Sequence, residues 1–208
     1  MIACEFSGIV RDAFRARGHD AWSCDLLPTE APGPHIEGDV LAVLDDGWDM
    51  MIAHPPCTYL ANSGARWLFE KPGRWAQLAE ACAFFLKLLN APIPRIAVEN
   101  PRPHKWATER IGRPYFVTQP WEHGHPQRKA TCFWLRGLPV LLPSRVCGPP
   151  PDGDKAWESI WREPPGPNQA RNRSRTYPGL AEAMANQWGT LAPRLAAGAR
   201  STRDEGVS

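Results

Sequence analysis

The chain has 208 residues, 43% hydrophobic and 22% charged, the composition of a single globular domain with a substantial core. No apolar run approaches the roughly 20 residues that cross a bilayer, and the start, Met1-Ile-Ala-Cys-Glu-Phe-Ser, lacks the basic flank and apolar core of a signal peptide, so a cytoplasmic location is expected. The net charge of +2 hides an asymmetry: residues 1–100 carry 8 Lys/Arg against 13 Asp/Glu, and residues 101–208 carry 16 against 9, so an anionic partner such as nucleic acid is expected at the second half.

In chain order, residues 2–4 read as a strand that leads through Ser7-Gly8 into an amphipathic helix (Ile9, Val10, Phe14) stopped by Gly18. Residues 21–24 form a second strand closing on Asp25, and the Pro/Gly-rich stretch 28–34 is a loop. A short strand is predicted over 36–40, containing Gly38-Asp39. The apolar run Met50, Met51, Ile52, Ala53 reads as a buried strand, ended abruptly by His54-Pro55-Pro56 because proline has no N–H for a sheet ladder. Residues 75–90 make the strongest helix pattern, and the strand Ile96-Ala-Val follows, ending in Glu99-Asn100-Pro101. This alternation predicts an α/β fold, a parallel Rossmann-like sheet with flanking helices. Two further strands are expected over 115–118 and 131–135, possibly antiparallel.

The division expected is a catalytic α/β domain over 1–138, a short irregular insertion over 139–176, a returning helix within 177–193 and a disordered tail over 194–208. The insertion holds eight prolines, Trp157, Trp161 and the arginines 162, 171, 173 and 175. Pro178 suits the first turn of the returning helix, 178–188. The six cysteines (4, 24, 57, 82, 132, 147) lack CxxC spacing and read as free thiols in a reducing compartment. No spacing favours a zinc site from Cys132, Cys147, His123 and His125, and no metal is expected.

Cys57 carries the most chemistry. It lies just past the carboxyl end of a strand, where open α/β sheets place their ligands. Glu99 arrives 42 residues later at the end of another strand. Taken singly, a cysteine is more often a small buried hydrophobe, and Glu-Asn-Pro is more often a turn. The ordered set is more specific: Phe6-Ser7-Gly8, Asp25, Gly38-Asp39, Pro56-Cys57, Glu99-Asn100, then Pro126-Gln127-Arg128-Lys129. Over residues 2–137 this resembles the motif series of the DNA (cytosine-5)-methyltransferases, most of all the short forms carried by phages and prophages.

The resemblance implies an S-adenosylmethionine-dependent enzyme that methylates C5 of cytosine in DNA. Cys57 would add to C6 of the ring, and Glu99 would donate to N3. Phe6, Ser7 and Gly8 would approach the methionine portion of S-adenosyl-L-methionine, Asp25 the ribose and Asp39 the adenine amino group, and Leu26 and Pro56 would belong to the same pocket. Arg128 or Lys129 would hold the flipped nucleotide, with Asn100, Gln127, Arg171, Arg173 and Arg175 facing the nucleic acid. Three departures from the series stand out. Cys57 is followed by Thr58-Tyr59 rather than Gln, Glu99-Asn100 by Pro101 rather than Val, and Gln127 by Arg-Lys-Ala-Thr. With so short an insertion, two alternatives stay open: the same ring chemistry on a free pyrimidine nucleotide or with another transferred group, and a catalytically inactive DNA-binding protein on this fold.

Overall fold

The computed structural model describes residues 1–148, 155–158, 163–166 and 169–191. Its framework is a seven-stranded sheet built from β1 (Ile2–Ala3), β2 (Ser23–Asp25), β3 (His35–Glu37), β4 (Met50–Ala53), β5 (Arg95–Pro101), β6 (Phe116–Thr118) and β7 (Thr131–Arg136). The strand order is β3-β2-β1-β4-β5-β7-β6. β1 to β5 are mutually parallel, and β7 runs antiparallel to both β5 and β6. An α/β sheet with this order and one reversed strand has the topology of the class I methyltransferase fold. The expected Rossmann-like architecture is therefore present.

The helices are α1 (Ile9–Arg15), α2 (Trp67–Glu70), α3 (Arg74–Leu89), α4 (Lys105–Ile111), α5 (Gln169–Ser174) and α6 (Pro178–Gln187). The two-residue period of the strands assigns each core side chain to a face. Met51, Ile96, Val98, Cys132 and Trp134 pack with Leu78, Phe85 and Leu88 of α3. Met50, Ile52, Ala97 and Phe133 pack on the other face with Val10 and Phe14 of α1 and with Leu180, Met184 and Trp188 at α6. β4 is buried throughout, which is why its sequence is a continuous apolar run rather than an alternation.

Several boundaries differ from the sequence reading. β1 stops at Ala3 because Cys4 adopts φ 57°, a left-handed turn that swings Glu5 back toward α1. The strand expected over 36–40 covers His35–Glu37, and Val40–Val43 instead winds into a 3-10 turn capped by the Asp39 carboxylate on Leu41 N. β5 runs on through Glu99 and Asn100 to Pro101, because β7 pairs with it over that length: Glu99 opposes Phe133 and Asn100 opposes Cys132. Residues 139–176 contain a 3-10 turn, Lys155–Glu158, and α5. Trp161, Arg162 and the tail 194–208 lie outside the described residues.

α6 packs against α1, and its second residue, Gly179, could be nothing larger. A Cβ there would sit 1.9 Å from the carbonyl oxygen of His123. The ring of His125 accepts a hydrogen bond from Gly179 N at 2.9 Å and lies 5.2 Å from that of Tyr177. Among the described residues no helix is long and apolar enough to cross a membrane.

Candidate functional site

The chain runs from β1 to β2 and β3 on one side, then returns past β1 to β4 and β5 on the other. The switch point falls between β1 and β4, and ligands of open α/β sheets bind outside the carboxyl ends at such a point. The two segments leaving these neighbouring strands are Glu5–Gly8 and His54–Cys57, the motifs singled out in the sequence.

On the β1 side, Glu5 is buried, and its carboxylate accepts hydrogen bonds from Val10 N (2.7 Å), Arg11 N (3.2 Å) and Ser7 Oγ (3.3 Å). Burial raises its pKa, against lowering by His54 and by the two backbone donors. Gly8 holds φ +75°, and a Cβ at that position would meet the Arg11 guanidinium at 2.5 Å. Arg11, fully buried, fans out from α1. It donates from Nε to Asp12, from Nη1 to Ser23 and Thr29, and from Nη2 to the carbonyls of Ala31 and Pro32. This one side chain ties α1, β2 and the loop 28–34 together. From sequence Glu5 stood in this turn motif with no role of its own and Arg11 was not singled out, although a carboxylate just before a helix start is a capping signal.

Asp25 and Asp39 stand at the carboxyl ends of β2 and β3. Each gives one carboxylate oxygen to a backbone N–H two residues on, Leu27 and Leu41, at 2.9 Å. Next to Asp25, Leu26 is 74% exposed. Carboxylate oxygens for hydroxyl or amino donors, an open apolar side chain for a base and a glycine turn with no space for a Cβ suit a nucleoside-bearing cofactor such as S-adenosylmethionine. Phe6 is buried, with the Arg171 guanidinium 5.0 Å above its ring.

On the β4 side, Pro55 is buried while Pro56 and Cys57 are open to solvent. The Cys57 thiol is nonetheless crowded by protein atoms. That desolvation raises its pKa, the Glu99 carboxylate raises it further, and Lys129 and Arg173 pull it down. Glu99 is itself nearly buried and meets His54, Nδ1 to Oε2, at 3.2 Å. His54 Nε2 and Asn100 Oδ1 are buried with no hydrogen-bond partner among the described residues, whereas Asn100 Nδ2 donates to Pro55 O at 2.9 Å. Asn100 thus braces the Pro-Pro turn that carries Cys57.

The two basic candidates on the approach to β7 separate. Lys129 Nζ donates to the carbonyls of Arg173 (2.8 Å) and Arg175 (3.1 Å). Desolvation lowers its pKa, Arg173 lowers it too, and Glu99 and Cys57 raise it. Lys129 therefore lies within electrostatic reach of Cys57 and Glu99. Arg128 donates its backbone N–H to Trp157 O at 2.7 Å, and Gln127 donates its own to His125 O at 2.7 Å. Arg173 reaches the same group of charges from α5. Arg171 and Arg175 instead converge on one carboxylate, Glu30, at 2.6 and 2.7 Å.

His54 escaped the sequence reading as a site residue because it looked like a strand stop. A polar ring between an apolar strand and Pro-Pro was the available signal. Among the described residues no three His, Cys, Asp or Glu side chains gather as a metal site. His123 is hydrogen-bonded to Thr118 and Ser144, and Cys132 is buried in the core.

No family model matches the chain, and no curated protein matches it. Among solved structures, the chain is similar to a proposed DNA modification methyltransferase encoded within a prophage of E. coli, with a TM-score of 0.41 and 14% identity. The match covers 72% of this chain and 52% of that one, so the chain spans about half the length of that protein.

Proposed function

We propose that the protein is an S-adenosylmethionine-dependent methyltransferase acting on C5 of cytosine in DNA, with Cys57 as nucleophile and Glu99 as proton donor. One observation carries this reading. A thiol, a carboxyl and an ammonium from three separate segments, Cys57, Glu99 and Lys129, come within electrostatic reach of one another at the carboxyl edge of β4 and β5. Binding alone needs neither a thiol nor a carboxyl at this place; addition to the ring uses the first as nucleophile and the second as proton donor, and a nearby ammonium favours the thiolate.

C5 of cytosine is a weak nucleophile until an electron pair is pushed into the ring. Cys57, as thiolate, forms a bond to C6, and the displaced pair is spread over C5 and N3. Glu99 delivers a proton to N3, neutralising the charge there, while His54 stays hydrogen-bonded to the carboxyl it leaves behind. S-adenosylmethionine, when bound against Phe6–Gly8, Asp25, Leu26, Asp39 and Pro56, supplies the electrophilic methyl group. The C5 proton then leaves to a base, its electron pair reforms the double bond, Cys57 departs from C6 and the N3 proton returns to Glu99. Lys129 and Arg173 favour the thiolate that starts the sequence. A paired base must leave the stack first, which costs a few kcal/mol. Asn100, Gln127 and Arg128 are proposed to face the extruded nucleotide.

The test is DNA containing 5-fluorocytosine in many sequence contexts, incubated with S-adenosylmethionine. Fluorine at C5 cannot leave as a proton, so Cys57 stays bonded to the ring. The expected result is a denaturation-resistant adduct that is absent in Cys57→Ala. Folded protein that binds DNA and cofactor but forms no adduct would overturn the proposal. An adduct with the free 5-fluorinated nucleotide in place of DNA would overturn its assignment of a polymer substrate.

A further inference from the structure

A second cluster lies outside the chemistry described above. Phe69 of α2, Trp75 of α3 and Trp106 of α4 meet edge to face, with ring centroids 5.6 Å (Phe69–Trp75), 5.0 Å (Phe69–Trp106) and 5.9 Å (Trp75–Trp106) apart. Such a trio would normally be core. Here Phe69 is 66% exposed and Trp75 40% exposed. Five cations ride on the aromatic rings of the same region: Arg66 and Lys71 over Trp67, Arg74 over Tyr59, Lys105 over Trp106 and Arg110 over Trp75, all within 4.1 to 5.9 Å. Among the described residues none of the five is paired with a carboxylate. The segments 58–75 and 102–113 together hold seven Lys/Arg against two Glu.

The shelf is continuous with the loop that carries Cys57. Arg74 Nη2 donates to Thr58 O at 2.7 Å, Leu60 N and Ala61 N donate to Cys57 O, and the His104 ring bonds to Tyr59 O at 3.0 Å. We infer that this aromatic, cationic shelf of α2, α3 and α4 binds single-stranded DNA, holding the unpaired nucleotides that flank the target at Cys57. The inference rests on the proposed polynucleotide substrate and deepens it. Open aromatic faces stack on unpaired bases, which a duplex hides, and uncompensated cations set around them meet the phosphates. α2 and α4, of four and seven residues, are too short to fill a major groove. By contrast Arg171 and Arg175, two of the arginines singled out from sequence, share one carboxylate, Glu30, and are turned toward it.

Fluorescence anisotropy with a labelled single-stranded oligodeoxynucleotide, and with its duplex, tests this. The intact protein is expected to prefer the single strand. The double variant Lys71→Glu/Lys105→Glu should bind it about tenfold more weakly or worse, with a salt slope reduced by about 1.4. Phe69→Ala and Trp75→Ala should each weaken single-strand binding by about fivefold or more and leave duplex binding nearly unchanged. All of these side chains are at the surface, and circular dichroism checks that each variant is folded. Undiminished single-strand affinity in the charge-reversed protein, or preference for duplex in the intact one, overturns the inference. The 5-fluorocytosine adduct separates the two proposals: an adduct with no role for the shelf removes the shelf alone, and shelf-dependent binding without an adduct removes the methyl transfer alone.

Discussion

Replacing Arg11 by alanine should cost the fold about 3 kcal/mol. The guanidinium is fully buried and makes five hydrogen bonds, to Asp12, Ser23, Thr29, Ala31 and Pro32. Bonds to a charged group contribute about 1.5–3 kcal/mol each when buried, but several of these acceptors regain water once the loop opens, so the sum is not the loss. The stranded carboxylate of Asp12 is 47% exposed and needs no partner, which keeps the effect at the lower end of the range for broken buried pairs. For a chain of this size the shift in Tm is about 6–12 °C. Arg11→Lys should recover little, because one ammonium cannot span acceptors on α1, β2 and the loop together. Denaturant unfolding measures the loss, and calorimetric titration with S-adenosylmethionine should show weakened binding, since the freed loop adjoins Asp25 and Leu26. A loss below about 1 kcal/mol, or full recovery by lysine, would refute the account of Arg11 as the tie between three elements.

The remaining expectations concern the site. Carboxymethylation of Cys57 should be slow at neutral pH and accelerate with alkali, because its pKa is raised and only the thiolate reacts. Glu99→Gln removes a charge that raises the thiol and should move the midpoint to lower pH; Lys129→Met removes one that lowers it and should move the midpoint up. Identical profiles in all three proteins would dissolve the proposed trio. His54→Gln should slow single-turnover methylation by about tenfold without changing cofactor affinity, a fraction of what a general acid supplies; an unchanged rate and pH profile would make His54 a spacer. Gly179→Ala should destabilise the protein by about 2 kcal/mol or more in thermal unfolding, since its Cβ has no space beside His123 O.

The sheet was legible because its signal is local. β4 is a bare apolar run closed by Pro-Pro, and α3 is an amphipathic stretch of four turns. That Cys57 and Glu99 each follow or end a strand was legible from the order of apolar runs. What escaped depended on partners far away in the chain. β5 extends to Pro101 because β7 returns to pair with it, and nothing in residues 99–101 announces that. Arg11 reads as the solvated face of an amphipathic helix until the loop 28–34 closes over it. The aromatic shelf draws on α2, α3 and α4, and no one of its segments is rich enough in both residue types to stand out. Arg128 and Lys129 also part company only in the fold, where Arg128 N bonds Trp157 O and Lys129 Nζ reaches the Arg173 carbonyl.

Charge shows the same logic on a larger scale. Counted along the chain, the basic half is residues 101–208, and the natural inference places an anion there. Folding redistributes those charges. Lys129 is drawn inward toward Cys57 and Glu99, and Arg171 and Arg175 are consumed by Glu30 from the acidic half. Glu30 is held on the carboxylate side by those two arginines, which lower its pKa, so the tether persists at neutral pH and weakens as acid protonates it. Its effect is to dock α5 onto the loop 28–34, which keeps the carbonyls of Arg173 and Arg175 over Lys129. Meanwhile Arg66, Lys71 and Arg74, from the half that is acidic by count, join Lys105 and Arg110, and among the described residues none of the five is ion-paired. A phosphate backbone responds to uncompensated charge at a surface and not to totals along a sequence. On that criterion the face beside α2, α3 and α4 is a cationic surface among the described residues, and Arg171 and Arg175 serve to hold α5 to the loop 28–34.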